Sequence, residues 1–247
     1  MRVVVVIMLL WIGVAQAQER SLLFYCGATM VKPMQKIAKL FSGEHPVNIR
    51  ILQGGSGDLF RRLTTLQHGD LYLPGSSIYL ELAPMGLFPY RREVGINRLS
   101  ILVKKGNPLG IKGLEDLMRP DVRVAIGAED LGSIGRITKK ALLRYGGPSF
   151  YSRVQSGALY FVTDSRELVQ MLIRGKIDAG ISWRATAYFP ENRSYIEAIP
   201  LPETIAPPQK LLLAVTRYSR EGKNARAFVD FAASKRGRQI MRAYGFE

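Results

Sequence analysis

Four short turns in this 247-residue sequence carry a hydroxyl where a helix should begin: Gly27-Ala28-Thr29, Gly54-Gly55-Ser56-Gly57, Leu131-Gly132-Ser133-Ile134 and Thr163-Asp164-Ser165. Each follows a strand-like apolar run and precedes a helix-like one. The first amides of a helix have no partner inside it, and its dipole is positive at that end. Such a turn offers neutral hydrogen-bond donors to an anion, and glycine lets the backbone approach closely. The same hydroxyls are also ordinary N-caps, so one turn alone says little. Four of them, two in each half of the chain, predict convergence on one small anion. Asp58, just after Ser56, would repel an anion and is expected to face solvent.

Catalysis finds little support in the residue inventory. Asp58 stands where a nucleophile elbow around Ser56 needs its last glycine. Neither His45 nor His68 has an evident place as a base, and the two have no zinc or haem spacing. No Walker-type loop or dinucleotide-binding glycine fingerprint follows a strand. Glu115-Asp116 and Glu129-Asp130 read as solvated acidic pairs.

Positioning these turns requires alternating strands and helices, and the sequence shows them. Leu22–Cys26 is a strand, and Met34, Ile37, Ala38 and Phe41 mark one helical face. Strand 47–52, helix 58–67 and strand 70–73 follow. This βαβαβ order predicts a parallel sheet flanked by helices. A long strand, 98–104, and a short helix, 113–118, precede a second round: strand 122–126, helix 134–145, strand 158–162, helix 165–175 and strand 177–183. Strand 211–215 and two amphipathic helices finish the chain. The α/β unit thus recurs, giving two lobes: 18–100 with 203–247, and 101–202. In open α/β sheets a ligand sits at the carboxyl ends of strands, where these turns lie.

Composition narrows the setting. Residues 1–17 have a basic start, an apolar core of about a dozen residues and Ala15-Gln16-Ala17, the pattern of a cleaved secretory signal. The mature chain is therefore expected to be soluble and exported. Cys26 is the single cysteine, so no intrachain disulfide forms. It reads as a space-filling residue behind the first turn, although its place near Thr29 also invites a thiophilic ligand. The formal charge is +15, densest at Lys235-Arg236-Gly237-Arg238. That balance favours anionic partners. Export and the lack of any nucleic-acid motif argue against nucleic acid and leave a solvated basic surface, of a kind that can face anionic lipid.

The stretches FYCGATM, QGGSGDLFRRL, GDLYLPGS, GNPLGIKGLEDLMRPDVRVAIG, DAGISW and RAYGFE resemble, in order and spacing, the molybdate-binding component of ABC importers, a branch of the type II periplasmic binding proteins. The resemblance spans nearly the whole mature chain. It implies two α/β lobes, a hinge of two crossings and a ligand cleft between them. It further implies a small molybdate- or tungstate-like oxyanion, a membrane ABC permease as partner, no cofactor, no bound metal cation, no catalysis and a monomer. The family's hydroxyl contacts fall on Thr29 and Ser56, and its backbone-amide contacts on Ile134 and Ser165. A tyrosine falls on Trp183, a departure that replaces a hydroxyl with an indole donor. Ser76 stands where the family has an acidic residue. Arg136, Arg166 and Arg184 lie next to these turns and would suit a phosphate-type ligand. GDLYLPGS and the YCGATMVKPM start also resemble solute-binding domains of membrane sensor kinases and cyclases, so signalling in trans is the alternative role.

Overall fold

The computed structural model describes residues 20–247; the export segment read at 1–17 lies outside them. β1 (Arg20–Gly27) passes through a 3-10 turn into α1 (Val31–Glu44). Met34, Ile37, Ala38 and Phe41 on that helix are buried, as their spacing predicts. β2 (Val47–Gly54), α2 (Ser56–Leu66), β3 (Leu71–Leu73), α3 (Ile78–Glu81) and β4 (Tyr90–Asn97) follow. Next come β5 (Leu99–Lys104), β6 (Val124–Gly127), α4 (Ser133–Gly157), β7 (Tyr160–Val162) and α5 (Ser165–Ile173). The chain ends with β8 (Ala179–Trp183), α6 (Ala185–Tyr188), β9 (Ile196–Pro200), β10 (Gln209–Val215), α7 (Gly222–Ala233) and α8 (Lys235–Ala243).

The strands form two five-stranded sheets of matching design, ordered β2-β1-β3-β10-β4 and β7-β6-β8-β5-β9. In the first, β1 runs parallel to β2 and β3, while β10 is antiparallel to β3 and β4. In the second, β6 runs parallel to β7 and β8, while β5 is antiparallel to β8 and β9. The architecture is α/β, with two mixed sheets each flanked by helices. The chain changes sheets twice, at Arg98 between β4 and β5 and through 201–208 between β9 and β10.

Each lobe has its own core. In the first, α1, α7 and α8 cover one face of the sheet, and Phe24, Phe41 and Phe228 pack edge to face. Each of these rings is at most 1% exposed. Burying such a ring is worth roughly 1.5–3 kcal/mol, so the trio anchors the layer. In the second, Ile101, Val124, Ile181, Leu142 and Phe150 form the centre. α4 bends where Gly147 leaves helical geometry and Pro148 restarts the helix.

Arg98 ties the two crossings together. Its guanidinium binds Glu203, in the second crossing, and donates to Glu247 Oε2 at 2.8 Å. Glu247 also pairs with Arg184, just beyond β8, and its backbone exchanges two hydrogen bonds with Ile96. Burial works against the charged Glu247, but the hydrogen bonds from Arg98 and Arg184 outweigh it and hold its carboxyl below the usual range.

Candidate functional site

All four turns meet at one cavity between the lobes. Its walls are residues 27–30, 54–56 and Gly75 from the first lobe, and residues 132–134, 163–165 and Trp183 from the second. Thr29, Ser56, Ile134, Ser165 and Trp183, the five residues singled out in the sequence, all line it. Its volume is about 20 Å³. One water needs roughly 10–15 Å³ on that scale, so only a compact group fits.

The hydroxyls are not caps. Gly55 and Gly132 are the N-caps of α2 and α4, and neither helix has a side-chain cap. Ser56, Ser133 and Ser165 are instead the first helical residues, and Thr29 lies inside the 3-10 turn. The first-turn amides of α2 and α4 therefore remain open to a ligand. α5 differs: Asp164 caps it, accepting from the amides of Arg166 and Glu167. Its other oxygen takes the Arg166 guanidinium at 2.9 Å, so this lining carboxylate is already compensated.

Ser56 holds the centre. Its Oγ accepts from the Gly75 amide at 3.0 Å and faces Ser133 Oγ, across the lobe boundary, at 3.4 Å. The latter distance is long for a bond between hydroxyls, so it is a weak link. Tyr72, buried beneath, donates to the Ser56 carbonyl at 2.8 Å and fixes the turn from behind. Ser165 Oγ is buried and has no hydrogen-bond partner among the described residues. An orphaned buried hydroxyl costs on the order of 1–3 kcal/mol, and a ligand acceptor would relieve it.

Two glycines permit the lobes to meet. A Cβ on Gly55 would sit 2.5 Å from the Leu131 carbonyl, and one on Gly75 would sit 2.4 Å from Ser133 Oγ. Gly75 and Ser133 are site residues that the choice of five left out. The signal for Gly75 was Pro74-Gly75, which reads only as the end of a strand. Outside the cavity, Arg61 donates to the Asp130 carbonyl at 3.2 Å, Arg166 to Gln53 Oε1 at 2.8 Å, and Lys32 pairs with Glu191. These contacts all join one lobe to the other.

The closed cleft, the paired sheets and the helix starts that line it are the frame of a solute-binding protein. Residues 22–247 match the family of bacterial extracellular solute-binding proteins. The chain belongs to that family. It is 25% identical over 232 residues to the molybdate-binding protein ModA of Mycobacterium bovis, covering 92% of this chain and 84% of the relative. The periplasmic molybdate-binding protein of Azotobacter vinelandii has a similar structure, with a TM-score of 0.75 at 17% identity, over 91% of this chain and 98% of that one. So does the periplasmic binding protein AfuA from Actinobacillus pleuropneumoniae, solved with fructose-6-phosphate bound: TM-score 0.77, 20% identity, 92% and 83%. The fold is that of the type II periplasmic binding proteins.

Trp183 is 2% exposed at the end of β8, and its Nε1 lies 3.3 Å from where a Gly75 Cβ would be. Cys26 is fully buried in the first lobe's core and does not line the cavity. Burial pushes its thiol far above the ordinary range. The thiophilic reading therefore fails, because the strand turns this side chain away from the cleft. Asp58 faces solvent, as expected, and pairs there with Arg61. None of Arg136, Arg166 and Arg184 lines the cavity. Among the described residues, no group of three or more His, Cys, Asp or Glu is arranged to hold a metal ion. Nor is any helix there long and apolar enough to cross a membrane.

Proposed function

We propose that this protein captures a small tetrahedral oxyanion of the molybdate or tungstate type between its lobes and delivers it to a membrane ABC permease. It does so as an exported, non-catalytic monomer whose lobes move about the crossings at Arg98 and 201–208. The observation that carries this reading is the composition of the cavity wall. Hydroxyls of Thr29, Ser56 and Ser165, amides at the starts of α2 and α4, including that of Ile134, and the Trp183 indole converge there. Every one of these is a neutral donor. The Asp164 carboxylate is the one charged acceptor in the lining, and it is taken up by Arg166 and two amides. A wall of donors suits an anion that carries no proton of its own, such as molybdate, tungstate or sulfate, over protonated phosphate. The small volume favours an inorganic group.

A groove of about 250 Å³ adjoins the cavity, with Ala28 in both linings, and it supports a second reading. There an organic phosphate would place its phosphate in the cavity and its remainder along Gln53, Gln170 and Asn192. AfuA, with its bound sugar phosphate, is consistent with that reading.

A thermal-shift screen of the mature protein against molybdate, tungstate, sulfate, phosphate and fructose-6-phosphate separates the two. A ligand at a hundred times its dissociation constant adds about 2.7 kcal/mol of apparent stability. A shift with molybdate or tungstate and none with the organic phosphate is the expected result. The reverse pattern would replace the first reading with the second.

A further inference from the structure

The positive charge of this chain is unevenly placed. Segments 20–98 and 201–247, which build the first sheet and its helices, carry nineteen Lys and Arg against nine Asp and Glu. Segment 99–200 carries fifteen against ten. Much of the excess lies on one helical layer. α1, α7 and α8 pack against one another over one face of the first sheet. Their outer sides expose Lys36, Lys39, Lys223, Arg226, Lys235 and Arg242. None of these six has a carboxylate partner among the ion pairs of the described residues. Glu44 and Asp230, the two acidic residues of the three helices, are already engaged by Arg236 and Arg92.

Unpaired like charges on one face repel one another, so a fold gains nothing by gathering them. An anionic surface reverses that cost. We infer that this helical layer is a docking face for an anionic phospholipid bilayer. Basic side chains gain energy near such a surface, additively, and lose it within a Debye length as salt rises. Six cations held on three packed helices present a preformed patch, with no ordering cost beyond their side chains. The observation favouring lipid over a single protein partner is the spread of the charge: the six cations are distributed over three helices, and the groove of about 360 Å³ between α1 and β2 takes in only Lys39 of them. Docking through this layer leaves the second lobe free to open and close while the protein stays on the membrane.

Sedimentation of the mature protein with vesicles tests the inference. Phosphatidylglycerol–phosphatidylethanolamine vesicles should carry the protein down in low salt and release it in high salt, and phosphatidylcholine vesicles should not carry it. The variant K36E/K39E/K235E/R242E should lose at least about a hundredfold in partitioning. A control with equal charge change on the second lobe, K112E/R153E/R174E/K176E, should bind nearly as well as the wild type. Unchanged unfolding midpoints and oxyanion-induced thermal shifts in both variants separate this face from the cleft. Equal weakening in the two variants would overturn the inference, since net charge rather than this layer would then be at work. So would equal binding to both vesicle types. Loss in the first variant of a cross-link to an acidic protein, with no vesicle binding by the wild type, would put a protein in place of the bilayer.

Discussion

The guanidinium of Arg136 lies over the ring of Tyr79, 5.6 Å from its centroid, and the contact crosses from α4 in one lobe to α3 in the other. Arg136 sits one helical turn beyond Ser133, on the same side of α4. Its Nε is buried without a hydrogen-bond partner, and no carboxylate pairs with it among the described residues. Burial pushes the Tyr79 hydroxyl up, and the neighbouring Arg136 opposes that rise. A positive charge thus stands one helical turn beyond Ser133, while the one carboxylate of the lining, Asp164, is already taken up by Arg166. Arg136→Gln should weaken oxyanion binding about tenfold, by removing both the charge and a desolvated cation–π contact worth up to about 2 kcal/mol. Arg136→Lys should recover part of the loss. Calorimetric titration with molybdate or sulfate measures both, and equal affinities across the three proteins would rule out a role for this charge.

Ser56 and Thr29 should be separable. Thr29→Ala removes one donor and a buried methyl and costs no more than about 1 kcal/mol of stability. Ser56→Ala also strands the Gly75 amide, which donates to its Oγ. That variant should lose about 1–3 kcal/mol of stability in addition to affinity. The double variant should show no oxyanion-induced thermal shift while keeping its circular dichroism. A shift of wild-type size in the double variant would remove both residues from the site.

Gly75→Ala should prevent full closure, because its Cβ would fall 2.4 Å from Ser133 Oγ. The lobes themselves should still fold. Small-angle scattering in saturating oxyanion would then show a larger radius of gyration than the wild type, and affinity would fall by at least about tenfold. Adding Ser133→Ala clears the blocking atom and should restore compaction. No difference in scattering between wild type and Gly75→Ala would show that the lobes do not come together there.

Acid should loosen the hinge through Glu247. Its carboxyl is held below the usual range in the folded protein, by Arg98 and Arg184 against the pull of burial. The stabilisation is therefore present above the unfolded pKa of about 4.3 and disappears as pH falls through the lower folded value. Glu247→Gln should lower the unfolding midpoint at neutral pH, and the gap to wild type should close in stronger acid. A gap that persists at every pH would assign the effect to packing rather than charge.

Cys26 should be inert in the native state. It is fully buried with its thiol pushed up, and only a thiolate is a good nucleophile. Iodoacetamide should label it in denaturant and not in buffer. Rapid native labelling would mean that β1 opens locally.

Much of this architecture can be read from the chain because strand and helix periods differ so plainly in it. The run at Leu22–Cys26 is apolar throughout and that at Val122–Ile126 is apolar but for Arg123, as buried parallel strands are. β4 and β9 escaped that reading. Both are edge strands, and β4 carries Arg91, Arg92 and Glu93 in place of an apolar face. β9 is short and ends in Pro200. Charge and proline are what edge strands use to stay unpaired, and they erase the pattern that reveals a strand. Gly146-Gly147-Pro148 looks like the end of a helix, yet proline suits the first turn of the next one, so the second half of α4 was hidden. The four turns were visible because glycine and hydroxyls cluster there. The caps were not, since a helix start shifts by one residue and exchanges Gly55 for Ser56. Gly75 could not be seen either, nor could the contact that Arg136, legible beside its turn, makes with Tyr79. Each matters through an atom of the opposite lobe, and such contacts leave no local spacing.

The contacts outside the cavity, from Arg61 to the Asp130 carbonyl, from Arg166 to Gln53 and from Lys32 to Glu191, bear on the ratio of affinities. They form whenever the lobes meet, whatever ligand sits within. Their contribution multiplies the association constant of each ligand by a common factor and cancels when two ligands are compared. Selectivity is thus written inside the cavity and the working concentration range outside it. The range can drift by surface substitution alone while the order of preference among ligands stays as it was.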